Sequence, residues 1–276
     1  TVTTLAQAIL TSATVEHPFL SKLTSDCDGR GYPRLPAMTS QHAQDEASLT
    51  LGQITDEGLS CLFERVAQQV GFECSDQLVD GASFLDFGSG RGEAVLFAAR
   101  RWEGLKKSIG IELCEGRHEI ATETLEDILV DESGDTSGLS RRVQYICGDM
   151  LQVQLDTNST QCPTRHFVLL NSTCFSKELH HKALARLESQ ISGEDEIFIF
   201  TNSNTEDAAT RFSRAAFVWY EPSIKVSWDP KGCLWQIIWL PFPGKGPEPE
   251  TWLETFSSKA SKERMQSLLK RAPTGI

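Results

Sequence analysis

The chain has 276 residues, 39% hydrophobic and 23% charged, an ordinary globular composition with enough apolar material for a full core. No apolar run approaches the ~20 residues that a membrane span needs. A net charge of −12 speaks against a protein that lives by gripping phosphates, and for a basic partner or plain solubility. The cysteines (Cys27, Cys61, Cys74, Cys114, Cys147, Cys162, Cys174 and Cys233) form no C-x-x-C pair, which speaks against a zinc site. Cys61, Cys147 and Cys233 fall in apolar patterns and read as small core residues. No secretory signal pattern is visible at the start, and a reducing compartment fits best.

Thr3 to Leu10 is a weak helix candidate. From Thr11 to Leu51 the pattern is irregular, with Gly29, Gly31, Pro33 and Pro36 as breakers, and reads as an N-terminal arm packed on the core. A clear helix follows over Asp56 to Val70, where Leu59, Leu62, Phe63, Val66 and Val70 make an apolar stripe. Thr55 or Asp56 can cap it and Gly71 stops it.

The stretch Phe84 to Glu112 organises the rest. An apolar run, Ser83 to Phe87, carries Asp86. Gly88, Gly90 and Gly92 follow at alternate positions, then a helix from about Arg91 to Trp102, then Ile109 to Ile111 ending in Glu112. Strand, glycine turn, helix, strand and acid form half of a doubly wound nucleotide-binding sheet. The spacing is G-x-G-x-G, and Asp86 would oppose a pyrophosphate but suits a cation. That pattern resembles the S-adenosylmethionine site of class I methyltransferases, whose ligand carries a sulfonium. A dinucleotide, or a glycine turn with no ligand, are the competing readings of this stretch.

A helix over about Glu115 to Val130 leads to the acidic loop Asp131 to Ser140, which reads as a solvated connection. Strand Val143 to Cys147 runs into Gly148-Asp149-Met150, and strand Phe167 to Leu170 into Asn171-Ser172-Thr173-Cys174-Phe175. Helix Ser176 to Leu187 and strand Glu196 to Thr201 follow. Ala215 to Tyr220, Ile224 to Trp228 and Cys233 to Leu240 read as β, the last two joined by a turn at Asp229-Pro230-Lys231-Gly232. The tail ends in a predicted helix, Ser258 to Lys270, which reads either as an ordinary solvated helix or as a basic contact. The fold class is therefore α/β: a Rossmann-like, mostly parallel seven-stranded sheet of the class I methyltransferase type, with an antiparallel C-terminal hairpin. Expected boundaries are an arm over 1–55, the catalytic domain over 56–241 and a tail over 242–276.

Taken in order, LDFGSGRGEAVL, GIE, GDM, L-N-x-x-x-F and KVSW with an aromatic seven residues on resemble one family. They look like the non-SET histone H3 lysine methyltransferases of the disruptor-of-telomeric-silencing type, over about Leu51 to Leu240. The compact chain is similar to the kinetoplastid members. The resemblance implies S-adenosyl-L-methionine as donor and S-adenosyl-L-homocysteine as product. It implies that Asp86, Gly88 and Gly90 shape the methionine end, that Glu112 holds the ribose and Asp149 the adenine. Ser89, Glu93, Leu113 and Met150 complete the donor set. Asn171 would lie beside the sulfonium, and Phe175, Trp228 and Trp235 would wall a lysine channel. Without the family, Phe175 reads equally well as a core residue at a helix entry.

The chain departs from the family pattern in places. Leu51-Gly52-Gln53 stands where the family has Y-G-E, Asn171-Ser172-Thr173 where it has N-N-F, and Trp235 where it has Tyr. No long lysine tract for DNA is present; Lys259 to Arg271 is the basic cluster of the tail. The implied substrate is a lysine in the globular core of histone H3 within nucleosomes, with mono- or dimethylation favoured. A nuclear monomer with weak DNA contact is expected. Its acidic surface, at Asp131 to Asp135 or Asp26 to Asp28, would meet a basic histone tail. The alternatives are a class I methyltransferase for RNA, a small molecule or another protein, and a silent nucleosome-binding module.

Overall fold

In a computed structural model the residues described are 52–131, 138–154, 164–171, 175–191, 193–202, 212–213 and 216–246. They lie in one compact unit, Gly52–Ile276. The N-terminal arm as far as Leu51, the tail helix and the acidic patch at Asp26 to Asp28 lie outside the described residues, as does most of the loop after Asp131.

Helix α1 (Asp56–Gln69) starts where Thr55 Oγ1 accepts from Gly58 N at 3.0 Å, with Asp56 and Glu57 in the first turn. Its stripe of Leu59, Leu62, Phe63 and Val66 is fully buried. A short helix, α2 (Ser75–Val79), leads into β1 (Ser83–Phe87), α3 (Glu93–Arg101) and β2 (Lys107–Glu112). Then come α4 (Glu115–Asp131), α5 (Leu139–Arg142), β3 (Val143–Cys147), β4 (Arg165–Leu170), α6 (Lys177–Gln190) and β5 (Glu196–Thr201). The long hairpin β6 (Phe217–Val226) and β7 (Asp229–Leu240) closes the sheet.

The sheet has seven strands in the order β3-β2-β1-β4-β5-β7-β6. β1 to β5 are parallel, and β7 enters antiparallel between β5 and β6. Strands β1 and β5 are buried throughout, as a parallel sheet covered on both faces requires. Alternate residues feed two cores. Phe84, Phe167, Leu169, Phe198 and Phe200 face the core that holds α1 and α3. Leu85, Phe87, Val168, Leu170 and Ile199 face the one that holds α6.

Three expectations need correction. The two strands expected over 215–220 and 224–228 are, among the described residues, one strand, β6 (Phe217–Val226), with register breaks after Glu221 and Ile224, and Ser223 at φ 60°. The hairpin reverses at Ser227 and Trp228, between the paired Val226 and Asp229, so the Asp229-Pro230-Lys231-Gly232 signal belongs to the start of β7. There Asp229 Oδ1 accepts from Lys231 N at 2.9 Å, and Gly232 at φ 78° passes against the backbone of Ser223 and Ile224. Cys147, read as a core residue, is exposed.

Candidate functional site

In open α/β sheets ligands bind outside the carboxyl ends of the strands. The register aligns that edge. Phe87 pairs Ile111, Asp86 pairs Leu169, Leu170 pairs Thr201, and Thr201 pairs Gln236. One step further on, Glu112, Gly88, Asn171, Asn202 and Trp235 fall on one level across the edge.

The glycine turn is held from beneath by Glu112. Its carboxylate accepts from Gly90 N at 2.8 Å and from Cys114 N at 2.9 Å, and the residue is buried. A carboxylate has about four acceptor positions, so two backbone bonds leave capacity for ribose hydroxyls. Gly88 has φ 85°, and a Cβ there would stand 3.4 Å from Cζ of Phe175. The Phe175 ring therefore lies against the first glycine. Gly92, at φ 80°, is packed by the Tyr145 ring, and the Tyr145 hydroxyl donates to its carbonyl at 2.9 Å.

Carboxylates crowd this turn. Burial first, then the charges of Glu112 and Glu93, push Asp86 up to about 8. Burial and then Glu93 raise Asp56. Burial, Glu93 and Asp86 raise the Tyr145 phenol. Arg91 meets Glu93 at 3.0 Å, at the half-exposed rim. Such a site is strained as it stands and favours a cation. A sulfonium donor with an ammonium group fits that requirement, whereas a pyrophosphate would add to the repulsion.

A strap ahead of α1 crosses to the same place. Thr55 N donates to Lys225 O at 3.2 Å, Ser227 N to Gln53 O at 2.8 Å, and Gln53 N to Ser227 Oγ at 3.2 Å. Ile54 bridges Val226. The Gln53 side chain then reaches Glu93, to which it donates a hydrogen bond. This bond fixes the Gln53 amide at the rim of the turn. Asn171 Nδ2 donates to Gly52 O at 2.7 Å, and Asn202 Nδ2 donates to Asn171 Oδ1 at 2.8 Å. Trp228 sits on the hairpin reversal, half-buried, its ring 3.1 Å from where a Gly52 Cβ would lie.

The expected residues therefore gather unequally. Asp86, Gly88, Ser89, Gly90, Glu93, Glu112, Asn171, Phe175 and Trp228 converge on the turn and strap. Leu113, next to Glu112, is 42% exposed. Asp149 accepts from Leu151 N and from Gln152 Nε2, each at 2.9 Å, and so braces its own turn. Met150 is half-buried against the second core. Trp235 reaches the edge level but lies wholly inside the first core, its indole N–H without a partner among the described residues. Ser172, Thr173 and Cys174 lie outside the described residues. Gln53, Asn202 and Ser227 were not anticipated. Asn202 had a usable signal, being the first polar residue past a buried strand at the carboxyl edge.

A family model described as "Histone methylation protein DOT1" matches residues 62–231, more than half of the chain. No curated protein matches the sequence. Among solved structures, a putative RNA methyltransferase from Pyrococcus horikoshii is 12% identical with a TM-score of 0.45, covering 76% of this chain and 93% of that one. A putative tRNA methyltransferase from Streptococcus pneumoniae, in complex with S-adenosyl-L-methionine, is 14% identical with a TM-score of 0.44. That match covers 75% of this chain and 88% of the other.

Proposed function

We propose, from the premise that this chain belongs to the histone methylation protein DOT1 family, that its substrate is a lysine in the globular core of histone H3 within nucleosomes. Membership makes the chain a methyltransferase that uses S-adenosyl-L-methionine; the lysine, the nucleosome and a nuclear location are the proposal. The carrying observation is that Phe175 lies against Gly88 of the glycine turn, while Asn171 and Trp228 both meet Gly52 on the strap, beside the buried carboxyl groups of Asp86 and Glu112.

When bound, the donor supplies an electrophilic methyl on a sulfonium. Asp86, Glu93 and Glu112 would hold its positive and ribose ends, and Asp149 with Leu113 and Met150 its base. The chain's own part is to deliver an uncharged amine. An ammonium has no lone pair, and aromatic walls at Phe175 and Trp228 disfavour the charged form of an entering lysine. The same walls align the nitrogen with the methyl carbon, and orientation of this kind reaches ~7–11 kcal/mol in favourable cases. The Trp228 face still attracts a partly charged or methylated nitrogen by about 1 kcal/mol. Trp235, behind that wall, would set its shape from within the core. With a net charge of −12, the chain would meet the nucleosome through a basic histone segment more than through DNA.

The test is transfer of tritiated methyl to intact nucleosomes, free histones and RNA in parallel. Label on a histone H3 lysine, strongest on nucleosomes, is expected. Label on RNA alone would overturn the proposal.

A further inference from the structure

We infer that Asn202 is a positioning residue, which sets the amide of Asn171 and through it latches the strap Gly52–Thr55 beside the donor turn. The inference rests on the donor-site reading above and adds a residue to it.

The chain of bonds has one direction. Asn202 Nδ2 donates to Asn171 Oδ1 at 2.8 Å, and Asn171 Nδ2 donates to Gly52 O at 2.7 Å. A carboxamide is nearly symmetric in shape but not in chemistry. Turned over, Asn171 would set its NH2 against the Asn202 NH2 and its oxygen against the Gly52 carbonyl. Both bonds would be lost together. The Gly52 carbonyl and the Asn202 amide therefore require the same orientation of Asn171, and Asn202 reinforces the one that grips the strap. The strap in turn carries Gln53 to Glu93, at the rim of the carboxylate cluster, and seats Gly52 against Trp228. The residue beside the acceptor side of the site is thus tied to the segment beside the donor side, and Asn202 backs that tie.

The test uses the whole protein and amide hydrogen exchange without ligand. In Asn202→Ala, and more so in Asn202→Asp, which can only accept, the amides of Thr55 and Ser227 should exchange about tenfold faster, the size expected for one lost buried hydrogen bond. The β1 and β4 amides serve as the folding reference and should stay protected. S-adenosylhomocysteine affinity by calorimetry should fall by a similar factor, and Asn202→Ala on top of Asn171→Ala should add little. Unchanged strap exchange in a folded Asn202→Asp protein would overturn the inference. If the variants fail to fold, the wild type decides: slow exchange of the Asn171 and Asn202 side-chain amide protons supports the latch, and free exchange of both overturns it. A wild type that binds no S-adenosylhomocysteine would remove the donor-site reading, while the exchange result would still judge the latch.

Discussion

Asp86 shows how a single buried group can report on the ligand it was placed for. Burial and the charges of Glu112 and Glu93 lift its pKa from 3.8 to about 8. The unfolded chain releases that proton near 3.8, whereas the folded, ligand-free chain keeps it until about 8. The folded state therefore holds more protons over this window, and this group's contribution to stability falls as pH rises through it. A cationic donor reverses the preference, because it stabilises the carboxylate. Donor binding should then expel a proton, and affinity should rise by up to about tenfold per pH unit below the pKa and level off above it. Calorimetry in buffers of different ionisation heat, across about pH 6 to 9, reads both effects. Affinity that stays flat, with no proton released, would show that Asp86 does not face the cation. Glu112 has a different character. Two backbone N–H groups, of Gly90 and Cys114, already hold its carboxylate in place.

Elements were legible where local chemistry decides them. Strand β1, the glycine turn and α3 follow from apolar runs and three glycines, and Gly92 has the positive φ that such a turn demands. Strands β3 and β5 fall on their expected residues because each is a short apolar run between turn signals. What was not legible depends on contacts distant in sequence. The hairpin reverses at Ser227-Trp228, which carries no strong turn residue, because Ser227 is held by Gln53 on the strap. Asn202, likewise, showed its place at a strand end but not its partner, which parallel pairing supplies by setting it beside Asn171. Trp235 was expected at a channel wall, but its strand turns it into the core that α1 covers. Helix α1 gives the prediction for this scale. A Cβ on Gly58 would overlap the Lys225 carbonyl oxygen and stand 3.1 Å from Ile54 Cγ1. In an isolated helix Gly58→Ala should gain about 1 kcal/mol. Here overpacking of ~1–3 kcal/mol opposes that gain, so urea unfolding should show a net loss. A gain of the full intrinsic amount would mean that α1 is not pressed on β6.

Across the molecule, the two edges of the sheet divide the work. The carboxyl edge carries the crowded carboxyl groups of Asp86, Glu112 and Glu93 and the strap. The amino edge carries paired charge. Glu196, at the start of β5, accepts from Arg165 Nε and, at 2.9 Å, from the indole N–H of Trp239. Arg165 also donates to Leu78 O and lies 4.8 Å over the Phe72 ring, so the pair ties α2, β4, β5 and β7 together. Both side chains are largely out of water. Removing one partner of such a pair leaves a buried charge unmet and costs ~3–5 kcal/mol, whereas replacing both by apolar groups is often neutral. Glu196→Leu should therefore unfold well below the wild type in denaturant, and Arg165→Met added to it should recover part of the loss, since the Trp239 and Leu78 bonds stay broken. Because the pair lies at the opposite edge from Asp86 and Glu112, donor affinity of the folded variants should remain that of the wild type. A single variant that kept its stability would show the pair to be solvated. One that lost donor affinity while fully folded would show that the amino edge also shapes the site.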